Sequence, residues 1–210
     1  MKPYPWTLAL ALLAATLVAS AGRGAPTVKA TAAVRPAAAP EAGHDASAAE
    51  YTADGRLKFP EHYREWIYLS SGLDMRYTEE GGNPAHSMFD NVFVDPRAYR
   101  EFLRTGRWAD GTVLVLENRG AAQKGSINRH GRYQTGEVMG LEAHVKDTRR
   151  FRGGWAFVAF RGRGPADVIA QTADCYSCHR EHGAVDSTFV QFYPTLLEIA
   201  TRKGTLAAGH

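Results

Sequence analysis

The chain has 210 residues, and its 25 basic and 22 acidic side chains give a formal net charge of +3 at pH 7 with histidine neutral. That length suggests one domain, with room for extensions at its ends. The two signs of charge are interspersed, and this excludes the clustered basic face of a nucleic-acid-binding protein.

The N-terminus predicts export. Lys2 precedes an apolar stretch from Thr7 to Ala19, and Ala-Ser-Ala at 19–21 fits the small-residue rule for cleavage. We expect a signal peptide over residues 1–21 and a periplasmic or otherwise exported mature protein. The alternative is an uncleaved anchor, although the stretch is short for a membrane-spanning helix. No second apolar stretch approaches that length, so we expect no stable membrane insertion.

Composition divides the rest of the chain. Residues 22–50 have no aromatic side chain and are rich in Ala, Pro and Gly, which predicts a flexible linker. We expect a folded domain over residues 51–203 and a disordered tail over residues 204–210.

Strand and helix signals then follow in order. Residues 89–96 alternate apolar and polar side chains, which predicts a strand. Asp95 is suited to cap a helix that begins at Pro96 and ends at Gly106. Residues 110–118 predict a buried strand, and residues 119–134 predict a loop.

The second half adds two strands and two helices. In the strand predicted over residues 135–147, Val138, Gly140, Glu142 and His144 share one face. Residues 153–162 predict an aromatic strand bounded by glycines. Helical patterns follow at residues 165–172 and after Pro194. The expected fold is therefore α+β, mainly an antiparallel sheet with a few helices.

The two cysteines of the chain form a Cys-x-x-Cys-His motif with Cys175, Cys178 and His179. On a helix these positions lie on one face. Two thiols can then bind the vinyl groups of one haem while the imidazole coordinates its iron, and this spacing is typical of c-type haem attachment. We expect a C-terminal helix that carries one covalent haem c, with His179 as the proximal ligand.

Two other interpretations remain open. A zinc site would need four ligands and would have to recruit His182 and a distant histidine. A disulfide or redox-active Cys-x-x-Cys is possible in an exported protein. With haem attached, we expect His182 to be exposed or to hydrogen-bond a propionate.

The opposite side of the iron decides the chemistry. An open sixth position binds small molecules, whereas a strong sixth ligand favours electron transfer. The candidate ligands are His62, His86, His130, His144, Met75, Met88 and Met139. Met88 is favoured among them because it would share a strand face with Asp90.

Several stretches resemble the cytochrome P-460 family, which includes the sheet-rich cytochromes c′-beta. They are YREWIYL (63–69), VFVDPRAYREFLRTGRWADG (92–111), GEVMGLEAHVKD (136–147), GGWAFVAF (153–160) and CYSCHREHGAVDSTFVQFYPTL (175–196). The four-helix cytochromes c′ also carry a haem motif near the C-terminus, but the alternating middle of this chain does not suit their bundle.

The resemblance implies a homodimer with a mainly antiparallel β fold and one c-type haem. The namesake proteins oxidise hydroxylamine, with nitric oxide chemistry along the way, and their haem is cross-linked to a lysine. The cytochromes c′-beta lack that cross-link and bind nitric oxide in an apolar pocket.

The resemblance also assigns residues around the haem. Glu142 matches a pocket carboxylate that accepts protons in the hydroxylamine-oxidising members; the alternative is a solvated carboxylate on a sheet face. Leu116 occupies the position of the cross-linking lysine, and Lys124 matches a different lysine. Asp90 lies near the position of a distal arginine.

These inferences favour a periplasmic monohaem cytochrome that binds nitric oxide or a related small nitrogen species and exchanges electrons with a soluble partner. One alternative is a hydroxylamine or nitric oxide oxidoreductase with Glu142 as the proton acceptor, although Leu116 departs from the enzyme pattern. The other is an electron-transfer cytochrome with a methionine sixth ligand.

Overall fold

The computed structural model describes residues 48–75, 87–123, 127 and 130–210. The predicted signal peptide over residues 1–21 and the linker up to residue 47 lie outside these ranges. Along the described chain, no helix is long and apolar enough to cross a membrane.

One antiparallel sheet organises the described domain, and its strands are hydrogen-bonded in chain order. The strands are β1 (Ile67–Leu73), β2 (Met88–Val94), β3 (Val113–Ala122), β4 (Tyr133–Lys146) and β5 (Trp155–Phe160). The helices are α1 (Pro96–Thr105), α2 (Asp174–His182) and α3 (Pro194–Lys203). The α+β expectation with a mainly antiparallel sheet is confirmed.

Helix α1 begins and ends as the sequence predicts. The side chain of Asp95 accepts a hydrogen bond from the backbone N–H of Ala98, and Pro96 is the first helical residue. Gly106 ends the helix in the left-handed region, with φ of 72°. Glycine adopts that conformation without steric cost, which explains the stop.

The two faces of the sheet are covered by different parts of the chain. Alternating strand residues face α1 and α3 on one side, where the apolar core includes Phe102, Leu114 and Leu196. On the other side, residues 48–66 pack on a second apolar core that includes Val115 and Val158. The central strand β3 therefore contributes side chains to both cores.

Two elements expected from the sequence differ from the structure. Residues 165–172 form no helix; Ala166 and Val168 instead make β-bridges to Leu57 and Val158. The predicted loop over residues 119–134 is shorter, because β3 continues to Ala122 and β4 begins at Tyr133.

The haem motif lies on α2, which is followed by α3 at the C-terminal end. Beyond α3, a disordered tail was expected, yet Thr205 donates a hydrogen bond to the carbonyl of Gly106 and Ala207 to that of Ala184. Leu206 also packs on the core beside α1 and α3, so the chain stays against the domain as far as Ala207.

Candidate functional site

Helix α2 holds the two thiols of the motif one turn apart. Cys175 and Cys178 are half-buried and form no disulfide, and burial raises the pKa of both thiols. Between them, the buried Tyr176 donates a hydrogen bond to the carbonyl of Ile169 and accepts one from the N–H of Phe157. Its ring also meets the Phe157 ring edge to face, with centroids 4.8 Å apart. Tyr176, which sequence reasoning passed over, therefore fixes the motif helix to β5.

His179 is oriented by the backbone that follows the helix. Its Nδ1 lies 2.9 Å from the carbonyl oxygen of Ser187. Burial lowers the pKa of His179 and so favours the neutral ring, while the hydrogen bond to Ser187 opposes that shift. In the neutral ring, Nδ1 carries the proton and donates a hydrogen bond to the carbonyl of Ser187, which leaves a lone pair on Nε2 for a metal.

His144 packs directly beside His179. Its ring is stacked on Phe157 at 4.0 Å and contacts Trp155 at 4.2 Å, and its centroid is 4.8 Å from that of His179. The two imidazoles are therefore in direct contact, and His144 is a neighbour of the candidate ligand His179.

The buried Nε2 of His144 has no hydrogen-bond partner among the described residues. Burial, and then the proximity of His179, lower the pKa of His144 well below its ordinary value. The ring is therefore neutral at pH 7.

A cavity of about 110 Å³ lies between the sheet and the segment that begins with α2. His179 lines it together with Val92, Leu114, Val115, Leu116, Glu142, Ala143, His144, Phe157, Phe189 and Tyr193. A second cavity of about 170 Å³ shares Val92, Leu116, Phe189 and Tyr193 with the first and adds Ser70, Gly72, Met75, Asp90 and Phe192. Both linings are mainly apolar, with a carboxylate in each.

Three of the predicted residues meet on adjacent strands. Leu116 of β3 is paired with Glu142 of β4 and also lines both cavities, while Asp90 of β2 lies in the second cavity. Asp90 accepts a hydrogen bond from Asn118 at 2.7 Å. Glu142 is exposed at the first cavity, yet desolvation by nearby protein atoms, and then the charge of Asp90, raise its pKa.

These residues fit a covalently attached haem. Two unpaired thiols lie on one helix, and the next residue is a neutral imidazole with one nitrogen already hydrogen-bonded. An apolar cavity adjoins that imidazole. A zinc site is not supported in the described part of the chain, where no cluster of three or more His, Cys, Asp and Glu residues could hold a metal ion.

A comparison with protein families identifies this arrangement. The family model named Cytochrome P460 matches residues 60–190, which is more than half of the chain. The chain belongs to the cytochrome P460 family. Membership supports a c-type cytochrome and implies a haem cofactor. The matched range contains the whole haem motif, Leu116 and Glu142. No curated protein matches the chain.

In this cytochrome, none of the described candidate ligands other than His144 lines the cavity that His179 lines. Met88 begins β2 and lines neither cavity, whereas Met75 lines the second cavity. His62 and His130 are exposed, and Met139 lines a surface pocket on the opposite face of the sheet. His86 and Lys124 are outside the described residues. Assignment of the sixth ligand stays a prediction.

Proposed function

We propose that this member of the family is a periplasmic monohaem cytochrome c that binds nitric oxide or a related small neutral nitrogen species. The apolar lining around Leu116 is the observation that carries the proposal. Leu116 borders both cavities, and its side chain offers neither a nucleophile nor a hydrogen-bond partner.

Cys175 and Cys178 would hold the haem covalently. Each thiol adds to one vinyl group: a bond forms between sulfur and one vinyl carbon, and the thiol proton ends on the other carbon. No oxidant is needed for this addition. His179 would coordinate the iron through Nε2, and the bound group would supply an iron centre able to take a small ligand or to exchange one electron.

The apolar wall favours a diatomic ligand over hydroxylamine. A polar ligand buried without a partner loses about 1–3 kcal/mol relative to one that is hydrogen-bonded. Val92, Leu116 and Phe189 provide no such partner in their side chains, which leaves Glu142 as the one carboxylate of that lining. Nitric oxide should therefore bind readily, and hydroxylamine should react slowly.

Covalent attachment is tested by denaturing electrophoresis with haem staining. The wild-type band should retain colour after expression in cells that mature c-type cytochromes, and Cys178→Ala should yield little coloured protein. A colourless wild-type band would contradict the central element of the proposal.

Ligand preference is tested by optical spectra of the ferrous protein with and without nitric oxide, together with hydroxylamine turnover. In the family, the lysine cross-link to haem accompanies a red-shifted ferrous band, and leucine at position 116 cannot form that bond. We therefore expect no red-shifted ferrous band and a clear spectral change with nitric oxide. Leu116→Gln should raise hydroxylamine affinity by about tenfold, because the amide supplies a partner. Leu103→Gln, on the exposed side of α1, is the matched control and should change nothing.

A red-shifted ferrous band, with Lys124 or another lysine bonded to haem in a peptide map, would contradict this preference. It would favour the alternative function.

That alternative is a hydroxylamine or nitric oxide oxidoreductase, and the position of Glu142 favours it. A carboxyl with a raised pKa beside the cavity is suited to accept a proton from a bound substrate. The electrons released by the oxidation would leave to a soluble one-electron acceptor protein. Glu142→Gln should then abolish turnover while the haem remains attached; unchanged kinetics would leave Glu142 as a sheet-face carboxylate.

Export and assembly complete the proposal. N-terminal sequencing of protein from the periplasmic fraction should begin after residue 21, and light scattering should give the mass of a homodimer. An intact Met1 or a monomer mass would contradict the respective part.

A further inference from the structure

A tight turn follows the motif helix and is built from unusual residues. The backbone N–H of Thr188 donates to the carbonyl of Val185 at 2.8 Å, and the reverse hydrogen bond is 3.3 Å. Between them, Asp186 and Ser187 have φ angles of 47° and 58°. Two successive positive φ angles are the requirement of a type I′ turn, which Asn-Gly normally satisfies. Here Asp-Ser adopts the same backbone.

Side chains of other elements hold this turn in place. A non-glycine residue in the left-handed region costs about 1–3 kcal/mol and persists when its surroundings fix it. A carboxylate oxygen of Asp186 accepts hydrogen bonds from the backbone N–H of Trp108 at 3.3 Å and from Lys146 Nζ at 3.2 Å. The indole N–H of Trp108 donates to Thr188 Oγ1 at 2.7 Å. The turn is therefore attached to the buried Trp108 through Asp186 and through Thr188.

The turn directs one backbone carbonyl at the imidazole. Ser187, the second central residue, supplies the oxygen that accepts the hydrogen bond from His179 Nδ1. Gly183 shows how closely the turn and the end of α2 approach, because a Cβ there would lie 2.5 Å from the His179 carbonyl oxygen and 2.7 Å from the carbonyl carbon of Ser187. The acceptor and the ring are thus fixed relative to one another.

We propose that Asp186 is a positioning residue that acts through the Ser187 carbonyl on His179 and so sets the electron donation of the proximal imidazole. A hydrogen bond from the second ring nitrogen raises the basicity of a metal-binding histidine and fixes its orientation. Stronger donation stabilises ferric over ferrous iron. This inference rests on the proposed covalent haem, but it is independent of which small ligand the cytochrome binds.

Two measurements on the holoprotein test the proposal: the reduction potential and the iron–imidazole stretching frequency in the resonance Raman spectrum of the ferrous form. Asp186→Ala removes both anchors of the carboxylate and leaves a strained alanine. The potential should rise, by about tenfold in the ferric/ferrous equilibrium constant, or about 59 mV for a one-electron couple. The stretching frequency should fall, because the Ser187 carbonyl is no longer held against Nδ1.

Further variants separate positioning from the electrostatic field of the carboxylate. The double substitution Asp186→Asn with Ser187→Gly removes the charge but restores ideal turn residues and a side-chain oxygen for Trp108. It should have the wild-type potential and frequency. Lys146→Met loosens Asp186 and should raise the potential, whereas loss of a nearby cation through its field alone would lower it. Arg107→Ala removes an exposed arginine and with it only the longer ion pair with Asp186, at 3.5 Å, and should change nothing.

An unmoved frequency in Asp186→Ala would overturn the proposal, as would a lowered potential in Lys146→Met or a double variant that behaves like Asp186→Ala. If Asp186→Ala does not fold, Thr188→Val replaces it in the test, since it removes the other contact with Trp108. Thr188→Val should raise the reduction potential and lower the stretching frequency. An unmoved frequency in that variant would also overturn the proposal. Haem staining separates the proposal of a covalent haem from the proposal about Asp186. A colourless wild-type band contradicts the covalent haem. A coloured wild-type band, together with an unmoved frequency in Asp186→Ala, contradicts only the role of Asp186.

Discussion

Glu117 and Glu142 are carboxylates on neighbouring strands that project from opposite faces of one sheet. Glu117 is 2% exposed and accepts hydrogen bonds from Tyr63, from Arg64 at 2.6 Å and from Arg119 at 2.6 Å. Glu142 lies at the cavity beside His179, and no described residue gives it a hydrogen bond or an ion pair in the structure.

The two carboxyl groups therefore titrate in opposite directions. Burial by itself would raise the pKa of Glu117, but the hydrogen bonds from Arg119, Tyr63 and Arg64 outweigh it and lower the pKa to about 2. Glu142 lacks such donors, so desolvation and the charge of Asp90 raise its pKa. The hydrogen-bond donors around a carboxylate, more than its burial, therefore decide whether its pKa is lowered, as in a structural ion pair, or raised, as in a group available for proton transfer.

The largest expected effect is on the structural side of this comparison. Glu117→Ala should lower the free energy of unfolding by about 3 kcal/mol, because it leaves Arg119 and the Tyr63 hydroxyl without their buried acceptor. Urea denaturation of the holoprotein measures this. Glu65→Ala, at an exposed ion pair, is the control and should stay within about 0.5 kcal/mol of wild type. If Glu117→Ala lowers the free energy of unfolding by less than about 1 kcal/mol, Glu117 contributes no more to stability than Glu142 does, and the comparison fails.

Low pH should remove the contribution of Glu117 to stability. Because the folded pKa of Glu117 is lowered from 4.5 to about 2, its contribution to stability is present above pH 4.5 and is lost as the pH falls toward 2. That contribution is about 3 kcal/mol. Urea denaturation at successive pH values should show a steeper decline for wild type than for Glu117→Gln. Parallel declines would contradict the lowered pKa.

The smallest effect on stability is expected at Glu142. The pKa of Glu142 is raised in the folded protein, so folding favours its protonated form. The resulting contribution to the free energy of unfolding is present below the pKa of the unfolded state. It is lost as the pH rises through the pKa of the folded state. Glu142→Gln should remove that loss and leave the protein no less stable than wild type at pH 7. The ferric spectrum of wild type should also show a pH transition that the variant lacks. A destabilised variant with an unchanged transition would give Glu142 a structural role like that of Glu117.

The sequence predicted those features that depend on residues close together in the chain. Asp95, Pro96 and Gly106 specify the start and end of α1, and the motif spacing predicts haem attachment within the α2 segment. The alternation that places Gly140, Glu142 and His144 on one face is confirmed by their pairing with Asn118, Leu116 and Leu114. Val138 was predicted on the same face but is not on it, because a register shift pairs it with Arg119. In each case, neighbours in sequence determine the geometry.

Features that depend on distant contacts were not predictable in this way. Residues 165–172 have helical periodicity, but Ala166 and Val168 instead make bridges to Leu57 and Val158. The strand β1, with its Ser-Ser-Gly centre, gives a weak strand signal. The turn at Asp186 and Ser187 lacks the Asn-Gly signature, since Trp108 and Lys146 stabilise it from elsewhere in the chain.

Asp95 also couples the local unfolding of α1 to that of β3. One carboxylate oxygen accepts the Ala98 N–H that starts α1, and the other accepts the Val113 N–H that starts β3, at 2.8 and 2.9 Å. The helix cannot unwind from its first turn without releasing the strand that supplies Leu116 to one face and Glu117 to the other. Amide hydrogens of α1 and of the first half of β3 should therefore exchange with solvent deuterium as one cooperative unit, with a common opening free energy.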